Sequence, residues 1–81
     1  MRKLYGKYIV ADSDICHGAL TFRGSRVFVS AVLEQVAEGE DWDDIVKAWR
    51  GAVSRAAIAE AVRLAEKALI SAAKLRNGRA A

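Results

Sequence analysis

The chain has 81 residues, 53% of them apolar and 28% charged, with a formal net charge of +3. This length predicts one domain, and so high an apolar content excludes a disordered protein. No stretch approaches the roughly 20 apolar residues of a membrane span, no signal-peptide core follows the basic N-terminal residues, and Cys16 is the single cysteine, so we expect a cytoplasmic protein without membrane contact.

Residues 7–29 have the pattern of strands and turns. Residues 8–10 form a short apolar run, and two further apolar segments, residues 20–23 and 26–29, flank the dipeptide Gly24-Ser25. Glycine in the first central position favours a two-residue type II′ hairpin, which would pair Phe22 with Val27.

Two short helices are predicted next, each with a residue suited to its start and its end. The first covers about residues 30–38, with Ser30 as N-cap and Gly39 at the stop position. The second covers about residues 42–50, with Asp41 as N-cap and Gly51 at its end. Its apolar residues stand at i, i+3, i+4 and i+7, which is a one-face stripe: Trp42, Ile45, Val46 and Trp49.

The third predicted helix begins after Ser54 and runs to about Leu75. Val53 and Ile58 occupy the two positions of a hydrophobic staple at its start. Its apolar stripe is wider than two short helices can cover, so we expect a second copy or another protein to cover it. The alternative is that the β hairpin covers it. The expected partner or dimer interface comprises Leu64, Ala68, Leu69, Ala72 and Leu75.

These elements predict an α+β, mostly α, single domain over residues 1–76, followed by a flexible basic tail at residues 77–81. The short connection between the last two helices is typical of a helix-turn-helix unit. Binding to double-stranded DNA would then use Lys47, Arg50, Ser54, Arg55 and Arg63. The alternative is a plain helical hairpin that uses the same short turn for packing.

Charge is distributed unevenly along the chain. Residues 38–44 hold five acids, whereas residues 47–79 hold eight bases and two acids. A basic half suits phosphate or an acidic protein surface, although a solvated helix face and a frayed tail would give the same pattern.

No residue pattern predicts catalysis, a metal site or a cofactor. Cys16 and His17 are the only thiol and imidazole, and adjacent residues in a turn rarely address one substrate. Zinc needs three or four ligands, so only a site shared across a dimer could use this pair. We therefore expect a binding protein and not an enzyme.

Several segments together resemble a known family. Residues 12–18 read Asp-Ser-Asp-Ile-Cys-His-Gly after a short strand, and residues 22–29 contain Arg-Gly-Ser-Arg before an apolar run. Val53-Ser54 and residues 58–62 follow in the same order. Over about residues 8–65 the chain is similar to the small bacterial family catalogued as domain of unknown function number 433, whose pattern is Asp-Pro-x-Ile-Cys-x-Gly and Arg-Gly-Thr-Arg-Ile-Pro-Val.

The resemblance implies a helix-turn-helix-like fold and an antitoxin of the Vap type. Such a protein would sequester a nuclease toxin of the PIN class and could bind operator DNA as a homodimer. The alternative function is a protein–protein interaction module or homo-oligomeric structural protein without nucleic-acid binding. The chain departs from the family pattern at four positions where proline is usual: Ser13, Ala19, Phe28 and Arg50.

The resemblance also directs attention to Arg23 and Arg26. With Asp12 and Asp14 nearby in sequence, they predict an ion cluster that holds the hairpin to the strand before it. The alternative is an anion site for a phosphate or for a carboxylate of a partner.

Overall fold

The computed structural model describes the backbone of residues 1–80 and the side chains of residues 1–75. The first part of the described chain is a three-stranded antiparallel sheet of order β1-β2-β3. Its strands are β1 at Arg2–Leu4, β2 at Ile9–Asp12 and β3 at Leu20–Phe22.

Helices form the remainder of the described chain. They are α1 at Val29–Ala37, α2 at Trp42–Ala48 and α3 at Arg55–Ala80. The expected α+β architecture, a short N-terminal β element followed by three helices, is therefore confirmed. None of these helices combines the length and the apolar content that crossing a membrane requires.

The predicted pairing of Phe22 with Val27 is confirmed, since Phe22 N–H donates to Val27 O at 3.1 Å, but the segment after the turn is an isolated bridge between Thr21 and Phe28 and not a strand. The strand that pairs with β3 is β2, with Ile9 opposite Phe22. Ser25 N–H donates to Phe22 O at 3.0 Å, so the turn centres on Arg23 and Gly24. Gly24 is the third residue of this four-residue turn, and its φ of +81° is typical of a type II turn.

A single core joins the sheet to the three helices. Burial of each larger apolar side chain stabilises the fold by about 1.5–3 kcal/mol. Trp49 on the α2 side donates its indole N–H to Gln35 Oε1 of α1 at 2.7 Å, which satisfies a half-buried polar group. The buried core consists of Ile9, Phe22, Val29, Val32, Ile45, Val53, Ala57, Ile58 and Ala61.

The helix starts follow local chemistry at two of three positions. Asp41 caps α2 by accepting from Asp43 N–H at 2.8 Å, and Ser54 caps α3 by accepting from Ala57 N–H at 3.1 Å. Ser30 is not the cap of α1. Phe28 holds that position without a side-chain hydrogen bond, because the chain turns into the helix directly from its bridge to Thr21.

The ends of α1 and α2 share one hydrogen-bonding pattern. After α1, Gly39 N–H donates to Val36 O, and Glu40 N–H donates to Gln35 O. After α2, Arg50 N–H donates to Lys47 O, and the next N–H, of Gly51, donates to Val46 O. Both are Schellman endings, in which one residue adopts the left-handed conformation. That residue is Gly39 in α1 (φ +83°) but Arg50 in α2 (φ +54°), not the expected Gly51.

The third helix is longer than expected and only its first part packs against the core. It continues to Ala80, whereas the sequence predicted an end near Leu75. Ala57, Ile58 and Ala61 are buried, but Leu69 is 72% exposed and Leu75 is 67% exposed. Residue 81 and the side chains of residues 76–80 lie outside the described part, so the predicted flexibility of residues 77–81 stays a prediction.

Candidate binding surfaces

Two of the predicted DNA-contacting residues are engaged within the protein. Ser54 is the N-cap of α3, as described above. Arg55 Nη1 donates to Asp43 Oδ1 at 2.7 Å, and its guanidinium lies 5.6 Å from the centre of the Trp42 ring. Both charged side chains of this pair are well exposed, at 60% and 67%. The pair therefore fastens the start of α3 to α2 while leaving Arg55 accessible.

The remaining three predicted contacts do not share one surface. Lys47 and Arg50 are exposed at the end of α2, where Arg50 occupies the left-handed turn. Arg63 lines a groove beside Tyr5 and Tyr8, and neither Lys47 nor Arg50 lines that groove. The structure thus divides the predicted DNA-binding set between two places.

Glu60 fastens α3 to the loop between β1 and β2. Its two carboxylate oxygens accept from the backbone N–H of Lys7 at 3.0 Å and of Tyr8 at 2.8 Å. Gly6 fits against this carboxylate so closely that a Cβ there would lie 2.6 Å from Glu60 Cδ. The loop therefore lies against the face of α3 that a recognition helix would insert into the major groove of DNA.

The expected ion cluster does not bring its four members together. Among the described side chains, the ion pair within 4.0 Å is Arg55 with Asp43, and it involves neither Arg23 nor Arg26, which are both exposed. Asp12 Oδ1 instead accepts from Asp14 N–H at 2.9 Å. The predicted register is kept by the bridge from Thr21 to Phe28, but Arg23 and Arg26 lie in the connection between these residues and not on facing strands.

Cys16 and His17 lie in a short left-handed turn. Their φ angles are +52° and +58°, and Gly18 continues the turn at +83°. Gly18 N–H donates to Ile15 O at 3.1 Å, which closes the turn. Within the part of the chain that the structure describes, no group of three His, Cys, Asp or Glu side chains could hold a metal ion.

The predicted partner interface lies on an exposed apolar surface. Leu64 is half-buried, whereas Ala68, Leu69, Ala72 and Leu75 are exposed. The hairpin alternative is wrong for this part of α3, since the sheet does not cover it. Beside it lies an apolar groove of about 280 Å³, lined by Tyr5, Ile9, Leu20, Val29, Leu33, Leu64, Ala65 and Ala68.

A second groove, which the sequence analysis missed, lies between the β1–β2 loop and α3. We call it the cationic groove. It has a volume of about 580 Å³ and is lined by Tyr5, Gly6, Tyr8, Ala56, Ala59, Glu60, Arg63, Leu64 and Lys67.

Two lysines border the tyrosines of the cationic groove. Lys3 Nζ lies 4.9 Å from the centre of the Tyr5 ring, and Lys7 Nζ lies 5.4 Å from that of Tyr8. The alternation of Lys3, Tyr5 and Lys7 is the sequence feature that could have indicated a basic surface with aromatic rings here.

In a comparison with known families, a family model described as Protein of unknown function (DUF433) matches residues 9–65. Neither the curated proteins nor the solved structures gave a match.

Proposed function

The chain belongs to the DUF433 family, and within that family we propose that it is an antitoxin-like binding protein that sequesters a nuclease-type toxin. The exposed apolar stripe on α3 supports this proposal above all other observations. The same stripe that buries Ala57 and Ala61 in the core continues into Leu69 and Leu75, which are 72% and 67% exposed. A large apolar surface left open on a small protein is typical of a partner site.

The composition of the stripe suits a helix of a partner. Ala68 and Ala72 are small, so another helix can approach the backbone of α3 closely there, while Leu75 offers a larger side chain for a pocket. The adjacent apolar groove extends this surface onto the sheet and α1. We propose that a homodimer forms through the same stripe when the toxin is absent.

Binding to operator DNA is a second part of the proposal, and it would use only some of the predicted DNA-binding residues. Lys47 and Arg50 are exposed at the end of α2, and Arg55 is exposed beside Asp43 at the start of that helix. Insertion of α3 into a major groove is less well supported, because Glu60 holds the β1–β2 loop against that face. The resulting contacts would be to phosphates and would weaken steeply with salt.

Co-purification of the tagged protein from its own cells tests the proposal directly. A small nuclease should be retained by the wild-type chain and lost with Ala68→Asp/Leu75→Asp, because two charges in the stripe oppose its burial. Ile70→Asp/Ala73→Asp is the matched control: it adds two charges to the same helix at exposed positions on the opposite side. If both variants retain the nuclease, or the wild type retains none, the antitoxin proposal is wrong.

The alternative is an interaction module that binds itself or another protein and no nucleic acid. The loop packed on Glu60 favours this alternative, since it hinders the usual DNA-binding mode of α3. Light scattering of the purified protein, with and without Ala68→Asp/Leu75→Asp, measures self-association separately from toxin capture. A dimer that depends on the stripe, with no nuclease and no salt-dependent DNA retention, would support the alternative.

A further inference from the structure

The cationic groove combines three properties on one surface. Arg63 and Lys67 of α3 line one wall, Tyr5 lines the other and is 45% exposed, and Lys3 and Lys7 lie against the rings of Tyr5 and Tyr8. Positive charge in a cleft concentrates anionic ligands, and the ring of Tyr5 offers a stacking surface on the face that Lys3 does not cover. These residues come from segments more than fifty positions apart and meet only in the folded chain.

Glu60 does not cancel this charge. Its carboxylate lines the groove, and both oxygens accept backbone N–H groups at 3.0 and 2.8 Å. Arg63 and Lys67 line the groove together with this carboxylate, and Lys3 and Lys7 add two positive charges beside the tyrosines, so positive charge exceeds negative charge there. The arrangement leaves Arg63 and Lys67 free to contact an anion entering from solvent.

From this arrangement we propose that the cationic groove binds single-stranded nucleic acid, with phosphates on the four basic side chains and a base stacked on Tyr5. Proteins of this binding class combine a basic groove with aromatic platforms. Arg63 and Lys67 are four residues apart on one face of α3, about 6 Å along its axis, which is comparable with the spacing of successive phosphates in a strand.

Single strands fit this surface better than duplexes. The β1–β2 loop stands beside α3 and is fastened to it by Glu60, so the helix does not project into solvent as a recognition helix must. A strand with unstacked bases can lie between the loop and the helix and present a base to Tyr5. This inference does not rest on the toxin partner, and the stripe variants described above leave its residues unchanged.

The test uses a fluorescently labelled single-stranded oligonucleotide of about 15 nucleotides, followed by anisotropy at several salt concentrations. The charge variant Arg63→Gln/Lys67→Gln should weaken binding at least tenfold and reduce the slope of log K against log salt by about 1.4. Arg23→Gln/Arg26→Gln removes the same charge at exposed positions that do not line the groove and should change binding less than twofold.

The tyrosine variants separate stacking from simple attraction of charge. Tyr5→Ala should weaken binding about five- to hundredfold because a stacking platform is lost, whereas Tyr5→Phe should bind like the wild type. Far-UV circular dichroism verifies that each variant is folded, and Tyr5→Phe keeps the test informative if Tyr5→Ala is not.

Four results would overturn the proposal. They are no binding of the single strand, tighter binding of the same sequence as a duplex, equal weakening by both charge variants, and displacement by polyglutamate at equal charge concentration. The last result would identify a general polyanion surface instead of a nucleic-acid site.

Discussion

The two parts of α3 carry the same apolar stripe in different surroundings. In the first part, Ile58 is fully buried and Ala61 is 1% exposed, while in the second part Leu69 is 72% exposed. The sheet and the two shorter helices cover only the first part. Apolar periodicity in a sequence therefore predicts that a helix face is buried, but it does not predict whether the same domain or a partner buries it.

The two parts also differ in their polar attachments. Ser54 caps the start of the helix, Arg55 pairs with Asp43, and Glu60 holds the β1–β2 loop. No comparable attachment is described between Leu64 and Leu75. The first part is built into the fold, and the second part is available for a partner.

The largest expected effect separates the two parts by their contribution to stability. Ile58→Ala should lower the free energy of unfolding by about 2–5 kcal/mol, because it leaves a cavity in the core. Leu69→Ala should change it by less than about 0.5 kcal/mol, as an exposed substitution usually does. Urea denaturation at low protein concentration measures both.

If Leu69→Ala destabilises the protein as much as Ile58→Ala does, the claimed difference between the two parts of α3 is wrong. A loss that increases with protein concentration would mean that a second copy covers Leu69 in solution, which would locate the dimer on this stripe.

A smaller effect is expected at Glu60. Glu60→Ala leaves the N–H groups of Lys7 and Tyr8 without their carboxylate, and loss of a hydrogen bond to a charged group costs about 1.5–3 kcal/mol. Glu66→Ala, on the exposed side of the same helix, is the matched control and should be nearly neutral. Thermal unfolding of the two variants gives the difference, and equal midpoints would show that the loop needs no attachment to α3.

Gly6→Ala provides an independent check of the same contact. Its Cβ would come within 2.6 Å of Glu60 Cδ, so it should destabilise the wild type. In a Glu60→Ala background it should be much better tolerated, since the obstructing carboxylate is gone. Additive effects would contradict the contact.

Local chemistry made part of the fold predictable from sequence. Asp41 and Ser54 act within three residues of themselves, and Gly39 ends α1 through bonds to residues 35 and 36. The staple residues Val53 and Ile58 are both fully buried. Each prediction depended only on neighbours along the chain, and each is confirmed.

Contacts between distant segments could not be predicted in this way. The extended pairing of β3 is with β2, and Arg23 N–H donates to Tyr8 O at 2.7 Å. Glu60 contacts a loop 52 positions away, which also creates the cationic groove. Such pairings depend on how the sheet packs against α3, and a single sequence has no pattern that encodes it.

The family resemblance is informative where the backbone disagrees with it. Proline is usual at the positions of Phe28 and Arg50. Phe28 has φ of −69°, which proline can adopt, whereas Arg50 has φ of +54°, which the proline ring forbids. The turn leading into α3 in this chain therefore has a geometry that the usual Tyr-Pro pair could not form.

The smallest effect concerns this turn, and α1 provides its control. Arg50 and Gly39 hold the same position in two Schellman endings, and the left-handed conformation costs a non-glycine residue about 1–2 kcal/mol. Arg50→Gly should therefore stabilise the protein, by about 1 kcal/mol once the flexibility of glycine in the unfolded chain is included. Gly39→Ala should destabilise it by a similar amount, and through φ alone, because no atom lies within 4 Å of the added Cβ. Opposite shifts of about 5 °C in the unfolding midpoint would show that the turn between α2 and α3 is strained at Arg50. If Arg50→Gly gives no gain in stability, contacts of the arginine side chain offset that strain.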